Sequence, residues 1–260
     1  MFFSKSATIV FVKISAVIIA FNEESKIAAA INSVKWADEI LLIDSESTDR
    51  TKEISATLGA KVITQKWLGF SKQKQLAVDN AEHDWIFSLD SDEVVSEQLK
   101  NEILKLKNSA NLADGYKIPR LSFYMNRPIR HGGWYPDWQI RFFDRRRGEW
   151  KDVLIHESVE IDGKIEKLAG DILHYSVENM AHHHQMIGER YAPLAAEQMF
   201  LRGRKTSPLK VATAGLTAFL QTYILKAGFL DGFPGFCIAR FAAHHAFLKH
   251  LLLWEKQNNR

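Results

Sequence analysis

The 260-residue chain predicts an α/β fold, an open and mostly parallel sheet followed by a helical appendage. Three observations carry this expectation. Apolar, β-branched runs alternate with stretches of helical spacing. Three of those runs end in acidic or amide side chains. The last third of the chain is apolar helix dotted with Lys and Arg.

The first strand is Ile14–Ala20, and it ends in Phe21-Asn22-Glu23-Glu24. Helical spacing covers residues 25–34. A second strand over 39–43 ends in Asp44. The polar stretch Ser45-Glu46-Ser47-Thr48-Asp49-Arg50-Thr51 then leads into a helix through Leu58. Ser47 or Thr48 is its expected N-cap and Gly59 its C-cap. Lys61–Thr64 is a third strand and completes a βαβαβ pattern. A fourth, 85–89, ends in Asp90-Ser91-Asp92-Glu93. In open α/β sheets, ligands bind beyond the carboxyl ends of the strands. An Asp-x-Asp there can hold a divalent cation, and the cation a diphosphate. The same triplet can instead cap the helix that follows.

Together these residues resemble a known family. Ala20-Phe21-Asn22-Glu23-Glu24, then Asp44-x-x-Ser47-x-Asp49-x-Thr51, then Asp90-x-Asp92-Glu93 look like the signature series of inverting family 2 glycosyltransferases of the GT-A fold. The resemblance spans about residues 14–175. A narrower likeness, to lipopolysaccharide core glucosyltransferases, rests on three motifs. They are Trp67-x-Gly69-Phe70-x-x-Gln73-Lys74, Gly133-Trp134-Tyr135-Pro136-Asp137-x-Gln139-x-Arg141 and Val153-Leu154-Ile155-His156-Glu157. Gln75 stands where that group usually carries Asn.

The resemblance implies metal-dependent transfer from a nucleoside diphosphate sugar, UDP-glucose above all, to a lipid-linked oligosaccharide such as the inner-core heptose. Ala20, Asn22, Glu23, Asp44, Lys74, Asp90 and Ser91 would meet the donor. Asp92, with Asp90, would hold Mn2+ or Mg2+, and His174 is a candidate third ligand; a structural histidine is the competing account. Inverting transfer is one displacement, so its base must face away from the leaving diphosphate. That excludes Asp90 and Asp92; the carboxylates that match the narrower group's motifs are Glu157 and Asp137, with Glu157 favoured because partial desolvation there would raise its pKa. Trp134 or Tyr135 would wall the acceptor pocket, since flat aromatic faces suit apolar sugar faces; ordinary packing is the competing role. Gln139-Ile140-Arg141 lacks the Gln-x-x-Arg-Trp of processive synthases, so one sugar per encounter is expected.

Composition adds a partner and a compartment. From His182 onward, ten Lys/Arg face four Asp/Glu, a net of +6, whereas the first 181 residues carry 24 against 27. Basic charge on apolar helices points to an anionic membrane surface, and a helical subdomain packed on the catalytic core is the competing account. No nucleic-acid reader motif is present. A single cysteine, Cys237, fits a reducing cytoplasm. Residues 1–13 lack the charged start and cleavage site of a signal peptide. The expected layout is an extension (1–13), a catalytic domain (14–177, with donor half 14–107 and acceptor half 108–177) and a helical, membrane-associating region (178–260). Its expected place is the cytoplasmic face of the inner membrane. Two alternatives stay open: another cell-envelope acceptor, polyprenyl-linked or capsular, or a non-catalytic nucleotide-sugar-binding module.

Overall fold

A computed structural model describes residues 12–151, 157–177 and 179–259. Most of the expected N-terminal extension, and His156 with the run before it, lie outside these residues. The chain divides into two compact units. One comprises the residues up to Arg120 together with Asp137–His174, and the other Leu121–Pro136 with Tyr175–Arg260.

In the first unit, β1 (Ile14–Ala20), α1 (Ile27–Ser33), β2 (Glu39–Asp44), α2 (Thr51–Thr57), β3 (Lys61–Thr64), α3 (Phe70–Asp79) and β4 (Trp85–Asp90) alternate as expected. Then come β5 (Glu93–Val95), α4 (Glu97–Lys107), β6 (Gly115–Tyr124), β7 (Arg127–Pro128), β8 (Asp137–Asp144), β9 (Gly148–Trp150), β10 (Val159–Ile161), β11 (Ile165–Lys167) and β12 (Ile172–His174). The sheet runs β3-β2-β1-β4-β8-β6-β12-β5. β1 pairs in parallel with both β2 and β4, while β8 joins β4 antiparallel. Strand order therefore reverses beside β1, the switch point where such sheets bind ligands.

β1 is buried along its whole length, and its side chains alternate between two cores. Ile14, Ala16, Ile18 and Ala20 pack with Ile27, Ile31, Phe87 and Phe142 on one face. Val17 and Ile19 pack with Ile43, Val78, Ile86 and Phe143 on the other.

One local expectation fails. Neither Ser47 nor Thr48 caps α2; its N-cap is Arg50, without a side-chain cap bond. The Asp49 carboxylate takes the Thr51 N–H instead, and Ser47 is drawn to the β1 loop. Gly59 does end that helix, at φ +92, which a side chain with Cβ resists.

In the second unit, Phe123 and Tyr124 of β6 pair with β7. α5 (Met180–Gln185) continues through a π-helical stretch, Met186–Tyr191, into α6 (Ala192–Leu201). Pro193 cannot donate to the turn before it, and the widened stretch falls just there. α7 (Pro208–Leu220) likewise continues as π-helix over Gln221–Leu225. α8 (Gly232–Asn258) takes in Pro234, which is tolerated in a first turn. α7 crosses α8 closely: a Cβ on Gly215 would sit 3.2 Å from the Ala243 carbonyl oxygen. Large apolar side chains stay exposed on these helices, among them Leu209 (74%), Leu216 (63%) and Leu225 (80%). Among the described residues, no helix is long and apolar enough to cross a membrane.

Candidate active site

The site is built where β1, β2 and β4 end. Asn22 sits at φ +54, a conformation that asparagine tolerates better than most residues. The backbone N–H groups of Asn22, Glu23 and Glu24 donate to Ser47 Oγ (2.9 Å), Thr51 Oγ1 (2.8 Å) and Asp49 Oδ2 (3.0 Å). In return, Thr48 N–H donates to Asn22 Oδ1 at 2.9 Å and Arg50 N–H to Glu24 Oε2 at 3.0 Å. The spaced Ser, Asp and Thr of the second motif thus stitch two strand-end loops together. Ala20 is buried, and its carbonyl accepts from Ser45 N–H at 2.8 Å.

Asp44 lies fully buried at the end of β2. Its Oδ2 accepts from Ser47 N–H at 2.9 Å, while Oδ1 is buried with no hydrogen-bond partner in the protein. An unmatched buried carboxylate oxygen is costly, so this one suits a ligand donor.

Asp90 has a different setting. Lys74 Nζ approaches its Oδ1 to 2.9 Å, and Arg141 Nη2 its Oδ2 to 2.9 Å. Arg141 also reaches Glu93 Oε1 at 2.9 Å, and Arg120 approaches that oxygen at 3.4 Å. Arg120 then holds Asp137 Oδ2 through Nη2 (2.7 Å) and Nε (2.9 Å), and Gln139 Nε2 donates to Asp137 Oδ1 at 2.7 Å. At the other end, Lys74 Nζ is 3.4 Å from Glu157 Oε1 and lies 4.9 Å from the Trp150 ring centre. Four carboxylates alternate with three cations along one chain of contacts. Burial alone would raise the Asp90 pKa, but the charges of Arg141 and Lys74 outweigh it and hold the carboxyl well below its usual range. Burial works against the Arg141 charge too, and Asp90 and Glu93 reverse that.

Asp92 faces elsewhere. β12 pairs with β5 so that His174 stands opposite Glu93. This brings His174 Nε2 to 3.4 Å from Asp92 Oδ2. Two ligands at right angles on a small divalent cation, each about 2.1 Å from it, are about 3 Å apart, so one oxygen and one nitrogen at this spacing suit such an ion. Among the described residues, no group of three His, Cys, Asp or Glu is disposed to hold a metal. Asp90 is turned to its cations rather than grouped with Asp92 and His174. Ser91, between the two aspartates, is buried.

Trp134 and Tyr135 belong to the second unit. Trp134 meets Tyr124 edge-on, with ring centres 5.9 Å apart, and the Arg130 guanidinium lies 5.3 Å from the Tyr135 ring centre. Arg120, Glu93 and Arg141 were given no role by the sequence. The available signal was an Arg on each of two strands, β6 and β8, that the sheet pairs antiparallel.

Residues 15–160 match the profile of Glycosyl transferase family 2. The chain belongs to this family. An uncharacterized glycosyltransferase of Rickettsia typhi is 33% identical over 258 residues, covering 91% of this chain and 85% of its own. The lipopolysaccharide core biosynthesis glycosyltransferase LpsC of Rhizobium meliloti is 26% identical over 257 residues, covering 94% and 92%. Among solved structures, Staphylococcus aureus TarS in complex with UDP-GlcNAc aligns at TM-score 0.48 and 14% identity, covering 95% of this chain and 92% of its own. Glucosyl-3-phosphoglycerate synthase from Mycobacterium tuberculosis, in complex with Mn2+ and UDP, aligns at TM-score 0.37 and 22% identity, covering 48% and 50%. The protein is thus a family 2 glycosyltransferase of GT-A fold, with a helical C-terminal region.

Removing Arg141 would take the nearest cation from the fully buried Glu93, leaving it Arg120 at 3.4 Å, and one of two cations from Asp90, which would keep Lys74. Breaking a buried pair in this way costs about 3–5 kcal/mol. Arg141→Met is therefore expected to lower the denaturant midpoint strongly. Arg50→Ala, which breaks an exposed pair with Glu53, should leave it where it is. Equal midpoints for Arg141→Met and the unsubstituted protein would show that the chain of charges carries no stability.

Proposed function

We propose that this glycosyltransferase moves one sugar, glucose from UDP-glucose, onto a lipid-linked oligosaccharide by inverting single displacement. The acceptor is the heptose of a lipopolysaccharide inner core. The Asp92–His174 pair, where Asp92 follows β4 and His174 ends β12, is the observation that carries this reading, because an oxygen and a nitrogen 3.4 Å apart suit a divalent cation, while the buried, unmatched Asp44 oxygen suits a hydrogen-bond donor of the nucleotide. LpsC, related along nearly the whole chain, supports the acceptor class.

Asp44 would accept a hydrogen bond from the nucleoside through Oδ1, with Ala20, Asn22, Glu23 and Ser91 completing that wall. Asp92 and His174 would hold Mn2+ or Mg2+. When bound, such an ion offsets the charge of the departing diphosphate. Asp90 orients Lys74, and Lys74 is the cation best placed to share the donor's negative charge.

Glu157 is the proposed base. Both oxygens of Asp137 are already engaged by Arg120 and Gln139, which suits a structural carboxylate better than a proton acceptor. Trp134 or Tyr135 would stack on the acceptor sugar. The apolar, basic helices would rest on the anionic cytoplasmic face of the inner membrane, leaving the protein peripheral.

A positioned base contributes about 10²–10⁴-fold. Glu157→Gln should lose transfer by about that factor at unchanged UDP affinity, while Asp137→Asn keeps turnover per folded molecule. The reverse outcome exchanges the two roles. For the membrane, each basic residue near an anionic surface adds about 1 kcal/mol. Lys205→Gln with Lys210→Gln should thus weaken low-salt cosedimentation with phosphatidylglycerol vesicles by about thirtyfold. Equal cosedimentation of this variant and the unsubstituted protein would contradict that placement.

A further inference from the structure

The turn Gly228-Phe229-Leu230-Asp231-Gly232 has no part in the chemistry above, yet it is tightly specified. A Cβ on Gly228 would meet the Thr222 carbonyl oxygen at 2.7 Å, and one on Gly235 would collide with the Gly228 carbonyl. What these close approaches deliver is the Asp231 carboxylate, whose side chain is only 7% exposed. Its Oδ2 accepts from His131 N–H at 2.8 Å, and Oδ1 accepts from Arg130 N–H at 3.2 Å and lies 2.8 Å from His131 Nδ1. A buried carboxylate taking two backbone N–H groups and an imidazole makes charge-assisted bonds, about twice as strong as neutral ones. The next residue is fixed as well: Gly132 N–H donates to the Lys226 carbonyl at 2.9 Å. Gly132 and Gly133 take φ of +67 and +85, and a Cβ on Gly133 would strike the Lys226 side chain at 2.8 Å. The loop so held runs straight into Trp134 and Tyr135.

We infer that Asp231 is a positioning residue for acceptor recognition: it clamps the Arg130–Gly133 loop and thereby sets Trp134 and Tyr135. All the contacts lie within the second unit. The inference rests on the reading of Trp134 or Tyr135 as the acceptor wall, and the test separates the two. The clamp also explains why a segment from the middle of the chain compacts with the C-terminal helices rather than with the sheet unit.

The test uses the full chain, UDP-glucose with Mn2+, and rough lipopolysaccharide truncated at the inner-core heptose. Asp231→Ala should raise the KM for that acceptor about 10- to 100-fold, as small misplacements of positioning groups do. UDP affinity by calorimetry should stay unchanged. Trypsin should cut faster after Arg130, because the loop opens locally. Asp231→Asn, which keeps one accepting oxygen, should fall between, and it carries the test alone if the alanine variant does not fold. Unchanged cleavage with unchanged acceptor KM would overturn the inference. Loss of UDP affinity alongside the acceptor effect would overturn it too, since the role would then be generally structural. Trp134→Ala and Tyr135→Ala run in parallel. If both leave the acceptor KM alone, the acceptor wall is wrong; if either raises it while Asp231→Ala does not, the clamp is wrong. Without turnover by the unsubstituted protein on this acceptor, the acceptor reading falls and cleavage alone judges the clamp.

Discussion

Arg141 between Asp90 and Glu93 is the contact on which the site depends. The fold puts acidic side chains at the ends of buried strands, where several carboxylates would repel one another and lose their water. Strand β8, antiparallel beside β4, delivers a fully buried guanidinium into that crowd. Lys74 from α3 and Arg120 from β6 extend the alternation to Glu157 and Asp137. A buried ion pair is no guarantee of net stability, but each of its members is expensive to strand. The arrangement therefore acts first as a constraint on geometry. With Asp90 committed to its cations, Asp92 is the aspartate of the pair left to meet His174.

A second constraint lies in the loops. The β1 and β2 ends are cross-linked by side chains that accept from each other's backbone N–H groups, and Asn22 takes a left-handed backbone to do so. Residues that look like ligand contacts can thus serve to hold a cleft open in one shape. Asp44 does both: one oxygen secures Ser47, and the other is left without a protein partner. Preorganised polar groups of this kind need little rearrangement when charge arrives.

Much of this was legible in the chain. The strands Ile14–Ala20 and Lys61–Thr64 were readable to the residue, because unbroken apolar runs between polar turns leave little choice. The acidic ends of β2 and β4 were readable as well. What stayed hidden depended on pairing across long separations. His174 was reached only through the family resemblance: it meets Asp92 because β12 pairs with β5, and nothing local to either says so. Arg120, Glu93 and Arg141 likewise become partners through the sheet. The expected N-cap at Ser47 or Thr48 failed for the same reason, since a distant loop competed for those side chains. The hold of Asp231 on residues about a hundred positions earlier was equally out of reach.

The account stands or falls on whether Asp92, with His174, links a divalent cation to the nucleotide. Calorimetric titration of UDP into the protein, with and without Mn2+, measures this directly for the unsubstituted chain and for Asp92→Ala and His174→Ala. The account predicts that Mn2+ tightens UDP binding in the unsubstituted protein, that Asp92→Ala abolishes this gain while its far-UV circular dichroism is unchanged, and that His174→Ala reduces it. Mn2+-dependent UDP binding by Asp92→Ala as tight as that of the unsubstituted protein would contradict it.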